Sequence, residues 1–265
     1  MKSNKRHYLT VDVEDWFQVF FAEHRVPKSK WDMMEPRIHN MIDETLELFS
    51  RYNVHATFFF VGWLGDKYPK LVKRVSDCGH EIASHSYWHR EAHTISISEF
   101  KEDINRAKEV LEDAAQRVVL GFRAPGYSIR LDDTEQIHAI AEAGYVYDSS
   151  VLQSSTTPFF IGKDLLEVPP NGLRFGNRFE PSNGGFFFRL LPYCLFKRYV
   201  RRLERRNETL NFYVHSWEVH TKYPRLQLGL RRNLIQYANL EAVVIKLHKL
   251  LQGHEFTSIE RGVAG

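Results

Sequence analysis

Short apolar runs alternate with amphipathic stretches along this chain, and the alternation predicts its elements. Residues 8–13 form a β-rich run. Ile38, Met41, Ile42, Leu46 and Phe49 share one face at helical spacing, which predicts a helix over 38–49. Residues 55–61 are almost wholly apolar, the pattern of a strand covered on both faces. A helix over 68–75 follows, with Gly79 as its stop, and then a short strand at 81–84. Ser96 and Glu99 have capping-box spacing and open a helix running to about residue 115. The spacing then predicts a strand at 118–122, a helix at 132–143 closed by Gly144, and strands at 146–147, 166–168 and 210–214. A long terminal helix is expected over 233–251. Residues 169–196 are rich in Gly, Pro and Phe and break the rhythm, as a long loop or insertion would.

This alternation argues for a parallel sheet or barrel. Polar residues cluster just past the strand-like runs: Asp12, His85, Arg123, Asp148 and His215. Barrel enzymes build their sites at that face. His85 and His89 are four apart, so one helical turn would set both imidazoles toward a single metal ion. Asp12, Glu14 and Asp15 supply carboxylates at the end of the first strand. Two histidines and a carboxylate around an open position form a recurrent hydrolytic zinc site, and a spare carboxylate beside it is a natural general base. Trp88, Tyr127 and Trp217 are aromatic residues close to these polar positions, either candidates for stacking on a substrate ring or plain wall and core residues. His55, His93 and His220 read as ordinary structural or surface residues.

The length of 265 residues suits one large domain, or a domain with an extension. Net charge is only +3, which argues against a general nucleic-acid binder. The charge is uneven: Lys197, Arg198, Arg201, Arg202, Arg205 and Arg206 face only Glu204. Leu195, Phe196, Tyr199, Val200 and Leu203 interleave with them at helical spacing. Residues 195–206 therefore read as a basic amphipathic helix, either an ordinary surface helix or a contact for an anionic membrane surface or an acidic glycan. Cys78 and Cys194 form no disulfide framework. The basic start, Met1 to Arg6, leads straight into a strand and has no apolar stretch of the signal-peptide kind, and no run approaches a membrane span. The expectation is a soluble cytoplasmic protein.

Five motifs then stand in order: Thr-Val-Asp-Val-Glu-Asp at 10–15, His-Ser-Tyr-Trp-His at 85–89, Arg-Ala-Pro-Gly-Tyr at 123–127, Tyr-Asp-Ser-Ser at 147–150 and Phe-Tyr-Val-His-Ser-Trp-Glu at 212–218. Together they resemble the polysaccharide deacetylases, the NodB-homology domain of carbohydrate esterase family 4. The stretches 184–192 and 254–259 resemble the extension of the branch found in exopolysaccharide export gene clusters. The resemblance implies an α/β fold, a distorted (β/α) barrel of about seven strands. Residues 1–220 would form the deacetylase domain with an insertion at about 169–206, and 221–265 a helical extension packed on it.

The resemblance further implies metal-dependent hydrolysis of an N-acetyl group on an amino sugar. Asp12 matches the general base, Arg123 its partner, His85 and His89 the metal ligands, and His215 the general acid. The family's usual pair of adjacent aspartates is absent, so the ligand carboxylate is either Glu14 or Asp15. Asp148 would orient His215 or Arg123. Pro125, Gly126 and Tyr127 would line the substrate site, with backbone N–H groups near Gly126 and Tyr127 holding the oxyanion. The expected metal is zinc, with cobalt, nickel or iron able to use the same ligands. The expected partner is an N-acetylated glycan or a lipid- or nucleotide-linked precursor. An amidohydrolase opening a cyclic amide or imide and a non-catalytic carbohydrate-binding protein are the rival readings.

Overall fold

The computed structural model describes residues 6–176 and 178–263. Met1 to Lys5 lie outside them. The strands are β1 (Arg6–Val13), β2 (Thr57–Phe60), β3 (Glu81–Ser84), β4 (Gly121–Phe122), β5 (Tyr147–Asp148), β6 (Phe159–Ile161), β7 (Leu165–Glu167), β8 (Gly172–Phe175), β9 (Arg178–Pro181), β10 (Asn211–His215) and β11 (Glu255–Thr257). They curl into one sheet in the order β10-β1-β2-β3-β4-β5-β7-β6, while β8 and β9 form a separate hairpin. Every ladder from β10 to β7 is parallel, and only β6 runs antiparallel to its neighbour. The chain is thus an α/β protein with a distorted barrel, as its alternating pattern predicts.

The pleat assigns the two faces. Leu9, Val11 and Val13 join Phe58 and Phe60 in the main core. Phe59, with Tyr8, Ala83, Tyr147, Val168 and Ile259, forms a second, smaller cluster. Fully burying each of these aromatic rings contributes about 1.5–3 kcal/mol. Thr10 and Asp12 alternate with the Leu9 set and bond Arg123 across this smaller cluster.

Side chains close the barrel between β7 and β10. Asn211 donates through Nδ2 to the Val168 carbonyl (3.0 Å) and to Ser149 Oγ (3.1 Å), and its backbone N–H donates to Asn171 Oδ1 (2.9 Å). Gly184 bridges to Tyr213 so closely that a Cβ there would sit 1.8 Å from the Tyr213 carbonyl oxygen. Only glycine permits that approach. The C-terminal strand β11 pairs with Arg6–Tyr8 of β1, along the edge that β2 uses further up.

Two expected elements differ. The terminal helix is broken into Leu230–Tyr237 and Ala242–Gly253. The buried Arg189 guanidinium takes the carbonyls of Ile235, Gln236 and Ala238 at 2.7–3.1 Å, and Asn239 turns left-handed, so the first helix is capped from outside. Residues 169–196 are also more ordered than a loop: they hold the β8–β9 hairpin, the helix Gly185–Leu190 and the start of the helix Tyr193–Arg205. That last helix buries Phe196, Val200 and Leu203 and exposes Arg198, Arg201, Arg202 and Arg205. Among the described residues no helix is long and apolar enough to cross a membrane.

Candidate active site

Strand register builds the site. Val13, Phe60, Ser84 and Phe122 lie on one continuous rung, so the residues that follow them emerge together at the carboxyl end of the barrel. Glu14, His85 and Arg123 are such residues. The His85 and Arg123 amides continue the ladders, donating to the Phe60 and Ser84 carbonyls.

Glu14, His85 and His89 offer ligand atoms that all lie within 4.8 Å of one another. His85 Nε2 is 3.6 Å and His89 Nε2 3.0 Å from Glu14 Oε1. His85 Nδ1 faces the Arg123 carbonyl at 2.7 Å. A carbonyl only accepts, so Nδ1 carries the proton and Nε2 turns its lone pair toward Glu14. His89 Nε2 is buried and has no well-directed hydrogen-bond partner. The His85 lone pair and the unpartnered His89 Nε2 converge on a buried carboxylate, a donor set that fits a divalent metal. Burial opposes charge on Glu14, but the surrounding histidines, His89 and His215 foremost, hold it well below the usual carboxylate range.

The four-residue spacing works without a helix. Residues 85–89 form a loop in which Ser86 and His89 have positive φ (59° and 53°). Asp103, on the helix Ile97–Ala115, ties this loop down by accepting from the Tyr87 and Trp88 amides at 2.6 and 3.2 Å.

Asp12 and His215 stand opposite each other in the β1–β10 register. Asp12 Oδ1 accepts from Arg123 Nη1 at 2.8 Å, and both are buried. Arg123 lies over the Phe59 ring at 4.0 Å and is further held by Thr10 and Ser149. His215 Nδ1 is 2.9 Å from Glu218 Oε2, and Nε2 is 3.9 Å from Glu14 Oε1. Trp217 stacks on the His215 ring at 4.6 Å, and its indole N–H donates to Glu14 Oε2 at 3.3 Å. Burial opposes charge on His215, but Glu14 and Glu218 push it up to about 9. Glu218 is itself paired with Arg189 at 2.7 Å, out of water. A chain of contacts thus runs from the carbonyls ending the helix Leu230–Tyr237 through Arg189 and Glu218 to His215. Beside His89 opens a groove of about 630 Å³ lined by Phe17, Trp31, Trp88, Arg90 and Arg232.

The sequence profile of the family described as Polysaccharide deacetylase matches residues 26–147. Over these residues the chain carries a polysaccharide deacetylase domain. A second profile, described as a domain of unknown function (DUF3473), matches residues 145–264. A peptidoglycan deacetylase of Helicobacter pylori is 24% identical over 120 residues, which are 45% of this chain and 40% of that protein. A peptidoglycan-N-acetylglucosamine deacetylase of Bacillus cereus is 34% identical over 102 residues, 38% of this chain and 46% of that protein. The chain thus spans under half the length of these relatives. Among solved structures, a family 4 carbohydrate esterase from Streptomyces lividans in complex with acetate superposes with a TM-score of 0.56 at 16% identity, covering 97% of this chain and 92% of the other. A family 4 pseudoenzyme from Bacillus anthracis superposes with a TM-score of 0.55 at 16% identity, covering 98% of this chain and 66% of the other.

Several expected site residues turn elsewhere. Asp15 does not face the metal cluster. Its carboxylate accepts from the backbone N–H groups of Trp16, Arg37 and Ile38, which anchors the start of the helix Ile38–Arg51. Glu14 is therefore the carboxylate of the cluster. Asp148 does not orient His215. It is buried and accepts from Ser150 Oγ, and burial pushes it up to about 6 and Glu167 well above the carboxylate range.

The Tyr127 amide is not available to an oxyanion, because it donates to the Ala124 carbonyl in the tight turn Pro125–Tyr127. Its ring packs on Arg123 (5.5 Å) and Tyr213 (5.4 Å), while Pro125 is buried and Gly126 takes the positive φ (65°). Trp217 is buried on His215 and cannot offer a sugar platform, whereas Trp88 is half-buried in the groove wall. Glu218 and Arg189 are absent from the expected set. Glu218 was within reach, since His215 and Glu218 are three apart and form a capping pair. Arg189 acts across 29 residues of chain, and no local signal marks it.

Proposed function

We propose that this protein is a metal-dependent hydrolase that removes the N-acetyl group from an amino sugar of a bacterial glycan or of its lipid- or nucleotide-linked precursor. The convergence of Glu14, His85 and His89 beside the Asp12–Arg123 and His215–Glu218 pairs carries this reading. Glu14, His85 and His89 would hold the ion, zinc first and cobalt, nickel or iron as substitutes. When bound, it would polarise the acetamide carbonyl and acidify the attacking water.

The chain's own residues supply the proton traffic. Asp12 takes the proton of the attacking water, and Arg123 pairs with its carboxylate and aims it. His215 delivers a proton to the departing sugar nitrogen, so that acetate and a free amine leave. Glu218 fixes the imidazole with Nε2 toward the site, and Trp217 supports its face. The groove lined by Trp31 and Trp88 would take the neighbouring sugar rings.

The deacetylase names of the two relatives support an acetamido sugar as the substrate. The branch associated with exopolysaccharide synthesis and action at the cytoplasmic face complete the proposal. The test is acetate release from a panel of N-acetylated glycans and precursors by zinc-loaded protein. Asp12→Asn should lower turnover by about 10²–10⁴-fold without loss of metal. Activity on cyclic amides or imides instead would move the assignment to that reaction class. Metal binding without turnover on any of these would favour the non-catalytic reading.

A further inference from the structure

Between Glu218 and Glu241 the chain has no carboxylate, yet it carries Lys222, Arg225, Arg231 and Arg232. All four are exposed, and among the described residues none is paired with a carboxylate. The helix Leu230–Tyr237 in this segment also presents Leu230 and Leu234 to water, at 92% and 62% exposure. Being four apart, the two leucines stand on one face. This helix borders the catalytic groove: Arg232 lines it, 5.8 Å from the Phe21 ring, and Phe20 beside it is 49% exposed.

We propose that this segment docks on an anionic lipid bilayer through its leucine face, close to the groove that Arg232 lines from the other side of the helix. The two halves of the pattern ask for one partner. Unpaired cations are drawn to anionic headgroups, and bare leucines gain only where acyl chains begin. A soluble acidic glycan would meet the arginines but leave Leu230 and Leu234 in water. The basic helix Tyr193–Arg205 is less suited. Its Phe196, Val200 and Leu203 are spent on the core, and its last turn lies at the opposite end of β1, where Glu204 meets His7. The consequence for substrate, an acetamido sugar on a membrane-anchored lipid, rests on the deacetylase reading; docking itself does not.

Flotation of the full chain with vesicles of phosphatidylcholine, alone or mixed with phosphatidylglycerol, tests the proposal. The wild type should float with the mixed vesicles only, and raised salt should weaken binding. Leu230→Ser with Leu234→Ser should lower partitioning at least about tenfold while leaving acetate release from a soluble glycan unchanged. Arg231→Glu should weaken it independently. No flotation of the wild type, or equal flotation of the leucine pair, would overturn the proposal. Retention on an acidic polysaccharide in place of vesicles, lost in Arg231→Glu, would assign the face to glycan. A dimer abolished by the leucine pair would assign it to a second copy. Flotation with no acetate release would leave docking standing and remove the deacetylase reading.

Discussion

The two ends of β1 each carry two histidines and a glutamate, and the comparison shows why composition does not define a metal site. At the carboxyl end are Glu14, His85 and His89; at the amino end are Glu204, His7 and His254. Spacing alone treats them alike. The backbone groups at Nδ1 of His85 and of His7 separate them. His85 Nδ1 faces a carbonyl, so its Nε2 is a lone pair aimed at Glu14. His7 Nδ1 accepts the Leu210 N–H at 3.0 Å, so the proton of the neutral ring sits on Nε2 and points at Glu204, 3.4 Å away. His254 Nδ1 reaches the same Glu204 oxygen at 3.0 Å. Under the proposed function the first cluster receives a cation. The other is a hydrogen-bonded clasp that ties β1, the helix Tyr193–Arg205 and the chain just before β11 together.

Substitutions sharpen that contrast. His85→Gln should reduce acetate release to background, because it removes a ligand and the tautomer that the Arg123 carbonyl selects. Glu218→Gln should keep the metal but lower turnover by about 10–100-fold, the scale of losing an orienting partner, and kcat should carry the loss more than KM. A result in which KM alone rises would place Glu218 in substrate binding instead.

Stability against pH separates the states of the site. In ion-free protein His215 is raised to about 9. A raised group adds stability that is fully present below its unfolded value, about 6.5, and is lost as pH rises through the folded value. Melting of the ion-free wild type should therefore fall between about pH 6.5 and 9 more steeply than that of His215→Gln. Bound zinc should flatten the difference by offsetting the Glu14 charge. Equal slopes in the two ion-free proteins would contradict the His215–Glu14 coupling. The smallest effect belongs to the clasp. Glu204→Gln should cost about 1 kcal/mol in denaturant unfolding and leave metal content and turnover unchanged.

The sequence made the barrel legible because strand and helix periods alternate and each polar residue of interest follows an apolar run. It also made Asp12, His85, His89, Arg123 and His215 legible as a group, because each stands at or just past a strand end. What it hid was direction. Whether Glu14 or Asp15 faces the cluster depends on where the chain leaves β1. Asp15 is captured by the start of a helix more than twenty residues ahead, an interaction with no local signature. Four-residue spacing implies a helical turn for His85 and His89, whereas a loop with two left-handed residues, pinned by Asp103, brings them together. The broken terminal helix has the same cause as the hidden Arg189: one buried guanidinium that reaches across the fold to cap a helix and hold Glu218.

The most direct test of the account is the metal content of wild type, His89→Gln and His254→Gln after zinc loading and gel filtration. The account predicts a single tightly bound ion in wild type and in His254→Gln, and none in His89→Gln. An ion retained by His89→Gln, or a second ion that His254→Gln removes, would contradict it.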